Sequence, residues 1–248
     1  MPILNRIEPD QLRARVERVR ASRAVTETRS HLRSFDETMG RQSMELALMD
    51  YALDAPPEAA RAHFVAAAGH LSRALAGREQ PDPDDSRNPW EAEEFLNVIG
   101  AFGSPNDADR IEALRPWQLR NPPREDTEAI GGYLIALCPV LAGGEPDAVA
   151  LDAVLARCER PDASRDLRRL LRPAARGLQA ASVDDEDGWN EALAAAHARE
   201  VRSGDLQTLP AGLMCLRGMM LARLGAGRGL TARAASPFLP LDLLAEAE

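Results

Sequence analysis

The chain of 248 residues contains no lysine, because all 30 of its basic residues are arginine. This absence excludes Schiff-base catalysis and any phosphate-binding loop that depends on a lysine. The 17 glycines, 18 prolines and many alanines indicate the codon bias of a GC-rich genome rather than selection for arginine chemistry. The absence of lysine therefore excludes these two kinds of site but does not indicate a function.

Aromatic residues are also rare, at 4% of the chain. Valine and isoleucine are scarce, and no window alternates apolar and polar residues convincingly between turn-forming residues, as a β-strand would. Alanine and leucine, both strong helix formers, together make up roughly 30% of the residues. The composition therefore predicts an all-α fold.

Long hydrophobic runs are missing as well. The most apolar stretch, Leu209 to Leu224, is too short to span a bilayer and contains Arg217 and Arg223. Residues 1–20 lack the apolar core of a signal peptide. The expectation from these features is a cytoplasmic protein.

The three cysteines, Cys138, Cys158 and Cys215, are far apart and have no C-x-x-C spacing. They are expected to be buried thiols in a reducing compartment, not a disulfide framework or a zinc site.

With 39 acidic residues the net charge is -9, which disfavours nucleic acid as a partner because a nucleic-acid binder needs a basic face.

Apolar residues recur at helical spacing along most of the chain, and Asp, Pro or Gly often stands where a helix is expected to begin or end. Asp10 is the predicted N-cap of the first helix, whose buried face carries Leu12, Val16 and Val19. After this helix the predicted helices span residues 35–53, 57–76, 90–102, 106–114, 126–141, 147–158, 162–180, 185–201 and 210–224.

We expect residues 1–248 to form a single all-helical domain, an irregular array of about ten short antiparallel helices. The polar, proline-punctuated segment 78–89 is the best candidate for a boundary between sub-domains, although a long surface loop explains it equally well. Stacked helical hairpins of the repeat-protein kind are the alternative architecture. The chain has no fixed repeat period, so the irregular array is favoured.

Residues that could carry catalysis or hold a metal do not form a known motif. His63 and His70 share a predicted helix but are seven residues apart, about 10 Å along its axis, which is too far for one ion without other ligands. The carboxylate clusters are expected to be solvated loops or charged helix starts. We therefore expect no catalytic residue, no cofactor and no metal site.

Charge is distributed in blocks along the chain. Residues 79–98 contain seven acids against one arginine, whereas residues 160–176 contain six arginines against two aspartates. Either the blocks balance exposed helix faces within the fold, or the acidic block steers a basic protein partner, with tryptophan as an anchor. Core packing is the commoner place for a tryptophan. On the second hypothesis the partner-binding residues are Asp82, Asp84, Asp85, Trp90, Glu91, Glu94 and Trp117.

The last quarter of the chain follows a recognisable pattern of packing residues. An acidic start, an aromatic residue and a helix containing leucine and histidine are found at Asp185, Trp189, Leu193 and His197. The step Leu209-Pro210 then opens an apolar segment through Leu221. A Ser-Pro-aromatic-Leu-Pro segment and a Leu-Leu pair complete the pattern, at Ser236, Pro237, Phe238, Leu239, Pro240, Leu243 and Leu244.

These residues resemble the closing portion of the immunity protein 49 family of bacterial polymorphic-toxin systems. Phe238 stands where tyrosine is more usual in that family, and Arg228-Gly229-Leu230 replaces a stretch that often contains tryptophan. The resemblance covers roughly a quarter of the chain and consists of packing motifs with no chemistry of their own.

The resemblance implies an all-helical, non-enzymatic immunity protein that binds a cognate bacterial toxin and occludes its active site. Because the sequence shows no export signal, the toxin is expected to act in the cytosol. Neither nucleic acid nor membrane is an expected partner. The alternatives are a helical-repeat adaptor or scaffold that is not linked to a toxin and, less favoured, an all-helical enzyme that uses scattered acids.

Overall fold

A computed structural model describes residues 7–32, 34–76, 89–107, 125–202, 210–234 and 236–245. Within these ranges the chain is α-helical with short 3-10 and π-helical turns, and β-pairing is limited to one isolated bridge between Ser236 and Leu239. The all-α prediction is confirmed. The proposed boundary at 78–89 and most of the predicted helix 106–114 lie outside the described residues.

The α-helices alternate with short connections. A π-helical turn, Leu167–Leu171, leads directly into the seventh helix, and 3-10 turns are formed by Pro210–Leu213 and Leu241–Leu244. In chain order the helices are α1 (Pro9–Glu27), α2 (Phe35–Ala52), α3 (Pro57–Ala76), α4 (Pro89–Phe102), α5 (Glu125–Leu141), α6 (Ala148–Glu159), α7 (Arg172–Ser182), α8 (Glu186–Arg202) and α9 (Leu216–Gly227).

Sequence neighbours pack as helical hairpins, most extensively α2 with α3, and also α5 with α6 and α7 with α8. The last helix, α9, returns to pack against α4 and also contacts α7 and α8. One cluster of buried apolar side chains joins these elements, from Leu12 in α1 to Leu243 in the last 3-10 turn. Contacts between helices so distant in sequence distinguish this array from a solenoid, in which each repeat contacts only its neighbours.

Helices α4 and α9 run in the same direction. Glu93 near the start of α4 pairs with Arg217 near the start of α9, and Arg223, further along α9, donates to the carbonyl of Ala101 near the end of α4 at 2.8 Å. A parallel pair cannot be joined by a short turn. The chain between them instead supplies helices α5 to α8, which pack around the pair.

The start of α1 differs from the prediction. Leu12, Val16 and Val19 are buried as expected, but the N-cap is Glu8, and no side-chain hydrogen bond is made there. Pro9 occupies the first helical turn, where its fixed φ suits a helix start and its missing N–H is not needed. Asp10 therefore lies inside the first turn and bonds to Arg13 at 2.7 Å.

The helix predicted over 162–180 contains a π-helical turn. Its helical backbone begins at Arg165, and the N–H of Arg172 bonds to the carbonyl of Leu167, five residues earlier. Pro173 follows at once, and a proline ring inside a regular α-helix collides with the carbonyl four residues before it. The wider π turn accommodates the proline without ending the helix.

The helix predicted over 210–224 is divided into a 3-10 turn, Pro210–Leu213, and helix α9. At the division, Cys215 caps α9, with its Sγ accepting from the N–H of Gly218 at 3.3 Å. The N–H of Cys215 donates to the carbonyl of Phe238 at 2.7 Å. This bond comes from a distant segment, so local hydrophobic periodicity could not predict the division.

Close packing of Trp189 on α9 gives a first prediction. A Cβ added at Gly225 would lie 2.2 Å from the buried Trp189 ring, so Gly225→Ala forces the indole or the helix to shift. We expect a loss of about 1–3 kcal/mol in the free energy of unfolding, measured by chemical denaturation. Gly227→Ala, with open space around its Cβ, is the control. Equal stability of the two variants would contradict the prediction.

Candidate partner-binding site

The first two turns of α4 bring together the described members of the predicted partner-binding set, Trp90, Glu91 and Glu94. All three side chains are half-buried. Asp82, Asp84, Asp85 and Trp117, the other members of the set, lie outside the described residues. The geometry of the site is therefore that of the helix start and the arginines packed against it.

Glu91 is held by Arg41, which reaches across from α2 to form an ion pair. The same guanidinium bonds to Glu37 one turn earlier in α2 at 3.4 Å and lies 4.7 Å from the centroid of the Phe95 ring. A cation over an aromatic face between two carboxylates is attracted to each of these groups. Glu91 is thus part of the contact between α2 and α4.

The carboxylate clusters are expected to be solvated. Glu93 of α4 differs from this expectation, because its side chain is only 2% exposed. Two bonds of 2.7 Å join its carboxylate to Arg217, from Nε to Oε1 and from Nη2 to Oε2, and Asn97 donates to the same Oε1 at 2.7 Å. The Arg217 side chain is 7% exposed. A bidentate pair with an additional donor satisfies charges that would otherwise be costly to bury.

This pair was missed by reasoning from residue spacing, since the neighbouring glutamates suggest a charged face for the whole turn. The signal that could have found it is Arg217 itself, which stands in the most apolar stretch of the chain. An arginine is seldom fully buried without a partner, so its position there indicates an acidic residue facing it. The sequence does not say which acid that is.

Glu94 lies beside the buried pair. Its pKa is raised, mainly because burial disfavours the carboxylate and also because the charge of Glu93 is close, while Arg41 acts in the opposite direction. Burial also raises the pKa of Tyr133 on α5, whose buried hydroxyl has no hydrogen-bond partner among the described residues. The start of α4 therefore carries two ion-paired carboxylates, Glu91 and Glu93, beside Glu94, whose ionised form is disfavoured by burial.

Trp90 packs against the edge of the hydrophobic core rather than at its centre. The sequence allows two roles for a tryptophan, core packing or an anchor for a partner. Trp90 is half-buried and so is intermediate between the two. A half-buried indole at the rim of a core offers apolar area to a partner without unfolding the helix.

The two histidines of α3 belong to different clusters. His63 Nε2 lies 3.5 Å from Asp50 Oδ2, and His70 Nδ1 lies 2.7 Å from Asp36 Oδ1. Burial lowers the pKa of His63, and the Asp50 carboxylate opposes that shift. Among the described residues no group of three or more His, Cys, Asp or Glu side chains is arranged to hold a metal ion.

A pocket of about 370 Å³ lies between α1 and the end of α2. Its walls carry both signs of charge, from Arg13, Arg20, Glu17 and Asp50. Ala14, Val16 and Leu53 also line it, but it is open to solvent, unlike the enclosed sites that bury most of a small ligand. No helix in the described part of the chain is long and apolar enough to cross a membrane.

Comparison with protein-family models, curated proteins and solved structures finds no match for this chain. The resemblance of its closing portion to immunity proteins therefore rests on the quoted residues alone.

The buried pair gives a second prediction. Glu93→Met leaves Arg217 charged in the core, and we expect a loss of about 3–5 kcal/mol in the free energy of unfolding. The double variant Glu93→Met with Arg217→Met removes both charges and should recover most of that loss. Chemical denaturation of both variants and of Arg217→Met measures the coupling between the two sites.

The control for the pair is Arg233→Met, which removes an exposed arginine bonded to Glu186 and Asp187 and should change the free energy of unfolding far less than Glu93→Met does. Simple addition of the two single losses in the double variant would contradict a mutual dependence of Glu93 and Arg217.

The raised pKa of Glu94 gives a third prediction. The unfolded chain ionises Glu94 more readily than the folded chain does, so its carboxylate destabilises the fold at neutral pH. Glu94→Gln should raise the melting temperature at pH 7. The gain should fade as the pH falls through the folded pKa and vanish below about pH 4, where an ordinary glutamate is protonated.

The matched control for Glu94→Gln is Glu191→Gln, which removes the same charge from an exposed position on α8. Thermal melts of both variants across pH 4 to 7 make the comparison. A stabilisation by Glu94→Gln that stays constant over this range would show that its charge is not the cause.

Proposed function

We propose that this chain is an immunity protein of a bacterial polymorphic-toxin system, which binds a cognate toxin and occludes its active site. The observation that carries the proposal is the resemblance of the closing portion to the immunity protein 49 family. Its support from the structure is that the residues of that pattern pack together as one unit.

Trp189 is the centre of this unit. The ring is fully buried, its Nε1 donates to the carbonyl of Leu221 at 3.3 Å, and it lies against Gly225, where any side chain would collide with it. Leu193, one turn further along α8, is also fully buried. The aromatic and leucine of the pattern thus fix α8 on α9.

The Ser-Pro-aromatic-Leu-Pro segment also packs against α9. Leu239 lies against Gly218 of α9, and the carbonyl of Phe238 accepts the N–H of Cys215 that begins α9. The hydroxyl of Tyr51 at the end of α2 donates to the carbonyl of Pro237 at 2.6 Å. The segment therefore connects the C-terminal helices to α2.

An inhibitor that occludes an active cleft needs a rigid surface more than it needs chemistry, because a preorganised surface loses little entropy on binding. In the proposal this surface lies around the start of α4. Trp90 offers apolar area there, and Glu91 and Glu94 add negative charge, together with the acidic residues that precede the helix in the chain. Complementary charge of this kind raises the association rate with a basic toxin.

Co-expression tests the proposal. The gene next to this one is cloned and expressed in a bacterial host with and without this protein, and colony counts are compared. We expect the neighbouring product to kill the host and this chain to restore growth at least about a hundred-fold, because tight binding removes nearly all free toxin. Continued killing despite equal expression of both proteins would refute the proposal.

Gly225→Ala is the control for a general loss of stability, because it disturbs the packing of Trp189 on α9 and changes no residue at the start of α4. Trp90→Ala with Glu91→Gln and Glu94→Gln changes the proposed surface and should lower protection while the protein remains folded by circular dichroism. Full protection by this variant would place the toxin-binding surface elsewhere on the molecule.

A further inference from the structure

The outer face of the helical stretch 165–182 is strongly basic. Arg165, Arg169 and Arg172 follow each other at intervals of four and three residues, so they stack along one side of the helix. The opposite side is buried in the core and is formed by Leu167, Leu171, Ala174, Ala175, Leu178 and Ala181. We call Arg165, Arg169 and Arg172 the arginine face.

The neighbouring arginines have partners within the fold, and for Arg168 the partner is the carbonyl of Ala163 at 2.6 Å. Arg160 bonds to Asp162 at 3.0 Å, and Arg176 bonds to Glu159 at 2.7 Å. In the part of the chain that the structure describes, no ion pair or hydrogen bond is formed by the side chains of the arginine face. Arg165 and Arg169 are exposed, and Arg172 is half-buried.

Three like charges on successive turns repel one another and so disfavour the helix. No ion pair in the described part of the chain offsets this repulsion, in contrast with the start of α4, where Glu91 and Glu93 are each bonded to an arginine. The acidic surface expected from the sequence is thus partly used inside the molecule, whereas the basic surface is left open.

The chemistry of the face indicates what it binds. A guanidinium group forms two parallel hydrogen bonds with a carboxylate or a phosphate. Asp166 lies within the same stretch and is exposed, and the whole chain has a net charge of -9. A long polyphosphate backbone would be repelled by these charges. Separate carboxylates on a protein can be placed opposite the arginines and away from the aspartate.

We propose that the arginine face binds an acidic segment of a protein partner. The inference deepens the proposed function and rests on it, because the partner is then the cognate toxin, held at a second surface apart from the start of α4. Arginine is among the residues that contribute most to protein interfaces when they become buried there.

The first experiment needs no toxin. A fluorescein-labelled peptide whose glutamates are separated from one another by glycine residues is titrated with the full chain at low salt, and binding is followed by fluorescence anisotropy. We expect the triple variant Arg165→Gln, Arg169→Gln, Arg172→Gln to weaken binding by about ten-fold or more, since each lost charge contact contributes of the order of a few-fold. Removal of like charges should leave its melting temperature unchanged or slightly higher.

The matched control is the triple variant Arg13→Gln, Arg20→Gln, Arg233→Gln. It changes the net charge equally but removes exposed arginines that are already paired with acids. It should bind the peptide within about two-fold of the original chain. Equal weakening by both triple variants would overturn the proposal, as would tighter binding of a labelled oligothymidylate of the same charge.

The second experiment uses the co-expression assay. If the original chain protects the host and the arginine-face variant does not, although it is folded and equally abundant, the proposal is supported. If both protect equally, the arginine face is overturned and the proposed function stands. If the original chain fails to protect, the proposed function is overturned, and the peptide titration alone decides the arginine face.

Discussion

The buried ion pair between Glu93 and Arg217 is the constraint on which the rest of the architecture depends. Either charge alone would be costly in the core, so α4 and α9 must meet with these two side chains in register. Because α9 runs parallel to α4, the chain has to travel back before α9 can begin, and helices α5 to α8 occupy that return path. A contact between two side chains therefore sets the register of α9 on α4.

Small residues then set how closely the paired helices approach. A Cβ at Gly100 of α4 would lie 2.6 Å from the side chains of Met220 of α9 and Leu141 of α5. The three helices therefore meet at a position where only glycine leaves enough room for these side chains. Gly225 has the same role opposite Trp189. A sequence rich in alanine and poor in aromatic residues can fill a core only at short interhelical distances, and these glycines provide them.

Much of the helical plan could be predicted from the sequence, because local patterns determine it. Helix α3 begins at Pro57 and ends at Ala76 as predicted, and Asp147 caps α6 with a bond to the N–H of Ala150. Two further errors, unlike those at the start of α1 and before Pro173, occur where a distant segment intervenes. The division before α9 depends on the carbonyl of Phe238, and the burial of Glu93 depends on an arginine 124 positions away.

The candidate surface was harder to predict for the same reason. A run of acidic residues in a sequence does not reveal which of them are already bonded to an arginine from another helix. Glu91 belongs to that class, while Glu94 has its pKa raised by burial and by the nearby charge of Glu93. Conversely, the arginines of residues 160–176 look alike in the sequence, and only their geometry separates the paired members from the arginine face.

The spacing of the buried pair also matters while the protein is being made. Glu93 leaves the ribosome 124 residues before Arg217, an interval of about 6 to 25 s at typical bacterial and eukaryotic synthesis rates. During that interval the carboxylate has no partner for the core, so it must stay in water or take up a proton. The packing of α4 is therefore completed only after the C-terminal helix α9 has been synthesised.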